Sequence, residues 1–290
     1  MCKRILITGG TGYLGSNILA ALIKLGHEVV LLKRRNSSID RIQNHVASIK
    51  MIDIEGVTLL EVLLQNNIDT IIHLATSYGR NGESHFEIRK TNVEFPTNLL
   101  DAAIKAKVRF FINTDTALPA EVNSYAFTKK QFCTYLQSKK DRINVINIVP
   151  EYFYGPDDDS WKLITMIMRK LVQQSPVIEF TDGLQQRDFI YITDVVNAYI
   201  TILSNMEQLK GWKEFSVSSG QTISIREMAE LCKDLCNNET TELAFGVIPN
   251  RQNDLLLSST NNLALKQLGW NLQFNLSDGI TLMKNALNNN

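Results

Sequence analysis

Along the first half of the chain, short apolar runs alternate with longer stretches in which apolar residues recur every three or four positions. RILIT is followed by SNILAALIKLG, then HEVVLL; IKMID precedes VTLLEVLLQN, and DTIIHLA precedes a long segment ending in AAIKA. VRFFIN then leads into SYAFTKKQFCTYLQ, and INVINIV closes the series. The short β-branched runs predict strands, and the three-to-four periodicity between them predicts helices. Such alternation needs crossovers, and crossovers lay helices on both faces of a parallel sheet. A doubly wound α/β domain is therefore expected over residues 1–154. After about Gly155 the rhythm loosens into GPDDDS, DFIYI, a helix from Thr193, FSVSS, a helix opening at Ser224 and a terminal helix from about Asn275. This predicts a smaller α/β lobe over 155–290, with segments near 189–217 packing back on the first domain.

Charge narrows the partners. The 30 basic residues balance the 30 acidic ones, so no general field favours nucleic acid or an anionic membrane, and any anion site must be local. The four cysteines are scattered and Cys232 and Cys236 miss the CxxC spacing, which fits a reducing cytoplasm rather than a disulfide scaffold. His27, His45, His73 and His85 form no ligand motif, so no metal is expected. No secretory signal or bilayer-length apolar run is visible, and a soluble cytoplasmic protein is the expectation.

The local anion site is at the start. TGGTGYLG, Thr8 to Gly15, lies between the first strand and the first helix, as in Rossmann-type domains. Glycines at 9, 12 and 15 let the backbone approach a pyrophosphate and rest it on helix amides, with Tyr13 and Leu14 between them. The second strand then ends in Lys33-Arg34-Arg35, where a carboxylate usually bonds the ribose hydroxyls. A carboxylate repels a 2′-phosphate, whereas cations attract it. Lys33 and Arg34, with donors on Asn36, Ser37 and Ser38, therefore predict NADPH. A merely solvated strand end is the competing reading.

Further on, Tyr125 and Lys129 are four apart and share a helical face, where an ammonium stabilises a phenolate. Thr114, at a strand end, offers a hydroxyl to an oxygen whose charge changes in hydride transfer. Each alone is ordinary; together with the glycine loop they suggest carbonyl reduction or alcohol oxidation.

TGGTGYLG, DTIIHLA, INTDT at 112–116, Tyr125-Ala-Phe-Thr-Lys129, QQRDFIYITDV at 185–195 and RQND at 251–254, in that order, resemble the extended short-chain dehydrogenase/reductase family acting on nucleotide sugars. The resemblance implies that Thr114, Tyr125 and Lys129 are catalytic, Lys129 also holding the nicotinamide ribose. It implies that Asp53 meets the adenine amino group beside the Ile54 backbone, that Leu74, Ala75 and Thr76 run along the nicotinamide ribose, and that Pro150 adds a cofactor contact. Asp115, Thr116, Glu151 and Tyr152 fall on substrate-side positions, and Arg187 and Arg251 on positions that bind the sugar-nucleotide diphosphate. Asp53 as a helix cap, and ion pairing of Arg187 with Asp188 or of Arg251 with Asp254, are the bland alternatives. His73 reads as a structural histidine. The family commonly dimerises through two helices, here carrying Phe95, Leu99, Leu100, Phe127, Phe132 and Tyr135, so a homodimer is expected, though these side chains could equally serve the core.

Relatives that dehydrate carry Asp-Glu after the catalytic threonine; here the pair is Asp115-Thr116, and a threonine cannot serve as that base. Epimerases return their hydride and suit a retained NAD, whereas a 2′-phosphate site suits a cofactor consumed as reductant. The loop Val149–Pro156, VPEYFYGP, replaces the family's usual Phe and Asn by Glu151 and Tyr152 and resembles the CDP-abequose and CDP-paratose synthase branch, which reduces a CDP-linked 4-keto-3,6-dideoxyhexose. The expectation is NADPH-dependent reduction of a C4 ketone on a nucleotide-linked deoxysugar. An NAD-dependent 4-epimerase and a non-catalytic NADP(H)-responsive regulator are the competing readings.

Overall fold

A computed structural model describes residues 2–80, 82–250, 255–258 and 261–288. The chain forms β1 (Arg4–Thr8), α1 (Tyr13–Lys24), β2 (Glu28–Lys33), β3 (Lys50–Asp53), α2 (Leu59–Gln65), β4 (Thr70–His73), α3 (His85–Arg89), α4 (Phe95–Lys105), β5 (Phe110–Thr114), α5 (Ser124–Gln137) and β6 (Asn144–Pro150). It continues with β7 (Tyr152–Tyr154), α6 (Leu163–Val172), β8 (Val177–Glu179), β9 (Gln186–Arg187), β10 (Phe189–Tyr191), α7 (Ile192–Asn205), β11 (Trp212–Val217), β12 (Ile223–Ser224), α8 (Ile225–Cys236), β13 (Glu242–Ala244), α9 (Leu263–Gln267) and α10 (Leu276–Asn288).

Seven strands build one sheet in the order β11-β6-β5-β4-β1-β2-β3. The register of neighbours is parallel throughout β1 to β6. Strands covered on both faces must be apolar almost without interruption. Ile5, Leu6, Ile7, Leu31, Ile71, Ile72, Phe111, Ile112, Val145 and Ile146 are accordingly buried. The order reverses between β1 and β4, so the loops leaving these two strands flank the crevice in which doubly wound sheets take ligands. The expected Rossmann-type sheet is present.

Two compact units divide the chain, one up to Val149 together with Val196–Phe215, the other Pro150–Val195 with the chain from Ser216 onward. The first therefore ends before position 154 and includes most of α7 and the outermost strand of the sheet. In the second, α6, α8 and α10 pack on one another around Ile164, Met168, Leu171, Met228, Cys232, Ile280 and Met283, beside three two-stranded pairings, β7–β10, β9–β12 and β8–β13. Asp194, wholly buried, accepts from the Gln273 and Phe274 amides at 2.9 and 3.0 Å and so ties the C-terminal segment to the start of α7.

Leu99, Leu100 and Phe132 lie in the core of the first unit, with Phe95 and Tyr135 packed against it. Phe127 is about half exposed. The apolar pattern of α4 and α5 is thus largely consumed inside the unit, because one helix face must cover the sheet. Among the described residues no helix is long and apolar enough to cross a membrane.

Candidate active site

The glycine loop is shaped by close approach. Gly9 has φ +70°, and a Cβ there would stand 2.6 Å from the Ala75 amide nitrogen; at Gly15 one would stand 2.1 Å from the Gly9 carbonyl oxygen. Gly12 precedes α1 with no side-chain cap and no acidic residue in the first turn, so the first amides of the helix remain for an anion from outside. This cradle fits the pyrophosphate of a dinucleotide. Tyr13 and Leu14 are buried, which leaves their backbone for that task. The Arg41 guanidinium lies 5.7 Å from the Tyr13 ring centroid. Nothing in the local pattern around Arg41 marks it; only folding brings it beside the loop.

At the end of β2 the structure revises the expected cation pair. Lys33 and Asp53 are register partners on adjacent strands, and Lys33 Nζ donates to Asp53 Oδ1 at 2.7 Å and to the Arg34 carbonyl at 3.3 Å. Asp53 is no helix cap, since Thr58 occupies that place for α2. The charge of Lys33 is partly spent on Asp53, and Glu55 accepts from the Arg35 amide at 3.0 Å. Arg34 stands exposed beside them. Ile54 is half-buried, its amide bonded to the Lys33 carbonyl at 2.8 Å.

The loop after β4 is held from below. The Thr8 and His73 side chains meet at 2.8 Å, and the Ala75 amide donates to Thr8 Oγ1 at 3.3 Å. His73 is enclosed by Phe95, Phe111 and Phe132, and burial followed by the Lys129 charge holds its imidazole well below the ordinary value. It is a neutral structural group. Buried Asn92 accepts from Thr76 Oγ1 and the Ser77 amide at 3.1 and 2.8 Å and donates to Thr128 Oγ1 at 3.0 Å, pinning the loop to α5. Asn92 sits in a π-helical turn, Lys90–Glu94, an irregularity that often marks functional positions and that sequence periodicity does not reveal.

Asn123 caps α5, accepting from the Ala126 amide at 2.8 Å, and so fixes where Tyr125 falls in the first turn. The half-buried Tyr125 ring lies 4.8 Å from that of Tyr78, beside a cavity of about 230 Å³ lined also by Glu83, His85, Asn123 and Ser124. One turn on, Lys129 is 3% exposed. Burial lowers its ammonium to about 8, with Asp115 opposing that fall. Thr114 is half-buried at the end of β5, its hydroxyl 2.6 Å from the phenol of Tyr199 on α7.

Asp115 and Thr116, expected toward substrate, turn inward. Lys130 Nζ donates to Asp115 Oδ2 at 2.9 Å and to the Thr116 carbonyl at 2.6 Å. A carboxylate 3% exposed needs a cation more than it can serve a ligand. The pair belongs to a buried polar chain in which Asn113 donates to Asn147 at 2.7 Å and Asn147 to Glu214 at 2.9 Å. Cys133 adjoins it, its thiol pushed up to about 12 by burial and the nearby carboxylates, and so unreactive.

In the second unit Pro150 is buried, and Glu151 is 5% exposed, its carboxyl raised to about 7 by burial and by Asp188. Its Oε2 has no hydrogen-bond partner among the described residues. Asp188 accepts from the Ser219 and Gly220 amides at 2.8 and 2.9 Å. The buried Arg187 guanidinium lies 5.4 Å from the Tyr152 ring centroid. Arg251 lies outside the described residues.

The first unit carries a glycine cradle and a buried lysine one turn from a tyrosine, and the sequence model of the NAD dependent epimerase/dehydratase family matches residues 5–218. The chain belongs to that family. It is 32% identical over 290 residues to CDP-abequose synthase of Salmonella typhimurium, covering 95% of each chain. In fold it is similar to UDP-glucose 4-epimerase of Thermotoga maritima, solved with UDP-glucose, at a TM-score of 0.87 with 20% identity over 99% of both chains. It is likewise similar to UDP-glucose 4-epimerase of Thermus thermophilus in complex with NAD, at 0.83 with 20% identity over 98% of this chain and 99% of the other. This family of enzymes works on sugar nucleotides with a nicotinamide cofactor.

Proposed function

We propose that the protein reduces the C4 ketone of a nucleotide-linked 4-keto-deoxysugar with NADPH. The observation that carries this reading is Lys129, a buried ammonium one helical turn from Tyr125 and within electrostatic reach of Asp115, the residue after Thr114. The Gly9–Gly15 cradle and Arg34 would hold the cofactor, which supplies the hydride for the carbonyl carbon. Tyr125 gives its phenolic proton to the carbonyl oxygen, completing the alcohol. Lys129 lowers the cost of the resulting phenolate. Thr114 donates to the same oxygen as negative charge builds on it. Asp115 Oδ2 is paired with Lys130, and Thr116 carries no base, which disfavours elimination of a sugar hydroxyl. The relative named CDP-abequose synthase supports a CDP-linked deoxysugar as substrate. Glu151, Tyr152 and Arg187 are the residues of the second unit that would receive it.

The Lys33–Asp53 pair favours a second reading, an NAD-dependent 4-epimerase, because Asp53 offsets part of the positive field at the 2′ position. The purified protein should oxidise NADPH stoichiometrically when given a CDP-linked 4-keto-3,6-dideoxyhexose, followed by absorbance at the nicotinamide band. Tightly retained NAD with no net consumption of either reduced cofactor would decide for the epimerase.

A further inference from the structure

We propose that Tyr199 is a positioning residue that holds the Thr114 hydroxyl with its proton turned toward the ketone oxygen of the bound substrate. The two hydroxyl oxygens stand 2.6 Å apart. Tyr199 lies on α7 and is 0% exposed, so water cannot satisfy its phenol. Burial also drives the ionisation of that phenol above the ordinary tyrosine range, so it holds its proton near neutral pH.

These facts assign the direction of the bond. A buried O–H must donate somewhere, and Thr114 Oγ1 is the partner it reaches. Were Thr114 the donor instead, the Tyr199 proton would be stranded in the core, a cost that nothing there offsets. With Tyr199 donating, the Thr114 proton is free to point out of its half-buried site. The threonine oxygen, already accepting one bond, becomes a better donor for the other. A strand-end threonine alone would divide its hydroxyl among rotamers and its own backbone. The buried phenol removes that freedom before substrate arrives, which is what preorganisation for a developing oxyanion requires.

This inference rests on the reading of Thr114 as the donor to the ketone oxygen, and the experiment separates the two. Turnover of a CDP-linked 4-keto-3,6-dideoxyhexose with NADPH is measured for wild type, Tyr199→Phe, Thr114→Val and the double variant. Tyr199→Phe should lower kcat about tenfold with KM for both substrates unchanged, and should cost nothing further in the Thr114→Val background. In the ligand-free protein labelled with ¹³Cζ-tyrosine, the Tyr199 resonance should shift in Thr114→Val, and thermal melting should fall because the buried phenol loses its acceptor. A full tenfold loss in both backgrounds, unaltered kcat in Tyr199→Phe, or an unmoved resonance would overturn the role of Tyr199 while leaving Thr114 in place. Full turnover by Thr114→Val would remove the reading of Thr114, and this proposal with it.

Discussion

The first unit makes nearly the same ion pair twice, with opposite consequences. Lys130 meets Asp115 at 2.9 Å where the aspartate side chain is 1% exposed; Lys33 meets Asp53 at 2.7 Å where the aspartate side chain is 40% exposed. At the buried Asp115 carboxylate water cannot compensate for a lost partner, so its geometry is enforced and the surrounding amides Asn113 and Asn147 are drawn into it, although Lys130 itself is a third exposed. The Asp53 carboxylate is open to water, which can replace a lost partner there, so this pair contributes less than one whose carboxylate is enclosed. The proposed reaction chemistry falls at the rigid end, and the proposed choice between cofactors at the soft end.

The largest test of that division is Tyr125→Phe. It should lower kcat by about 10² to 10⁴-fold while cofactor affinity, read by quenching of protein fluorescence, stays within twofold. Retained turnover would show that the rigid end does not carry the proton.

Lys129→Met should abolish most activity yet raise stability. The folded lysine titrates near 8 against an ordinary 10.5, so it carries fewer protons folded than unfolded between these values. Wild-type stability therefore gains as pH rises from 8 to 10.5, and below 8 the full penalty of the buried charge remains. Urea unfolding should show the variant more stable by up to about 3 kcal/mol at pH 7, with the gap closing toward pH 10.5. A gap that did not change with pH would rule out the buried ammonium as its source.

Asp115→Asn leaves Lys130, a third exposed, facing a neutral amide. The expected loss is about 1–2 kcal/mol in the same unfolding assay, below the cost for a fully buried pair. At the other end, Arg34→Ala should weaken NADPH about tenfold and NADH hardly at all, with the difference shrinking as ionic strength rises. The smallest effect is reserved for Asp53→Asn, which should change stability by less than about 1 kcal/mol and shift the NADPH-to-NADH preference only a few-fold, upward, by releasing Lys33. If Asp53→Asn proved more damaging than Asp115→Asn, the contrast between the two ends would be reversed.

Much of this was legible beforehand because it depends on neighbours in sequence. The strand–helix alternation, the glycines of TGGTGYLG and the four-residue spacing of Tyr125 and Lys129 are short-range facts, and each reappears in the fold. The readings of Lys33 and Asp115 changed because each side chain found its partner through the folded sheet. By sequence Lys33 reads as a cation for a phosphate, but the β2–β3 register sets it opposite Asp53. By family position Asp115 faces substrate, but burial demands a counterion and Lys130 is within reach. Leu99, Leu100 and Phe132 carried the apolar pattern of an interface or a core, and the sheet they cover decided for the core.

Periodicity and glycine spacing thus determined the class of fold, the shape of the glycine loop and the tyrosine–lysine pair, since all follow from the conformational preferences of adjacent residues. Tertiary structure alone decided the pairs Asp115–Lys130, Lys33–Asp53 and Thr114–Tyr199, separated by 15, 20 and 85 positions. Such partners are chosen by strand register and crossover packing, where the need to satisfy a buried charge or hydroxyl outweighs any local preference.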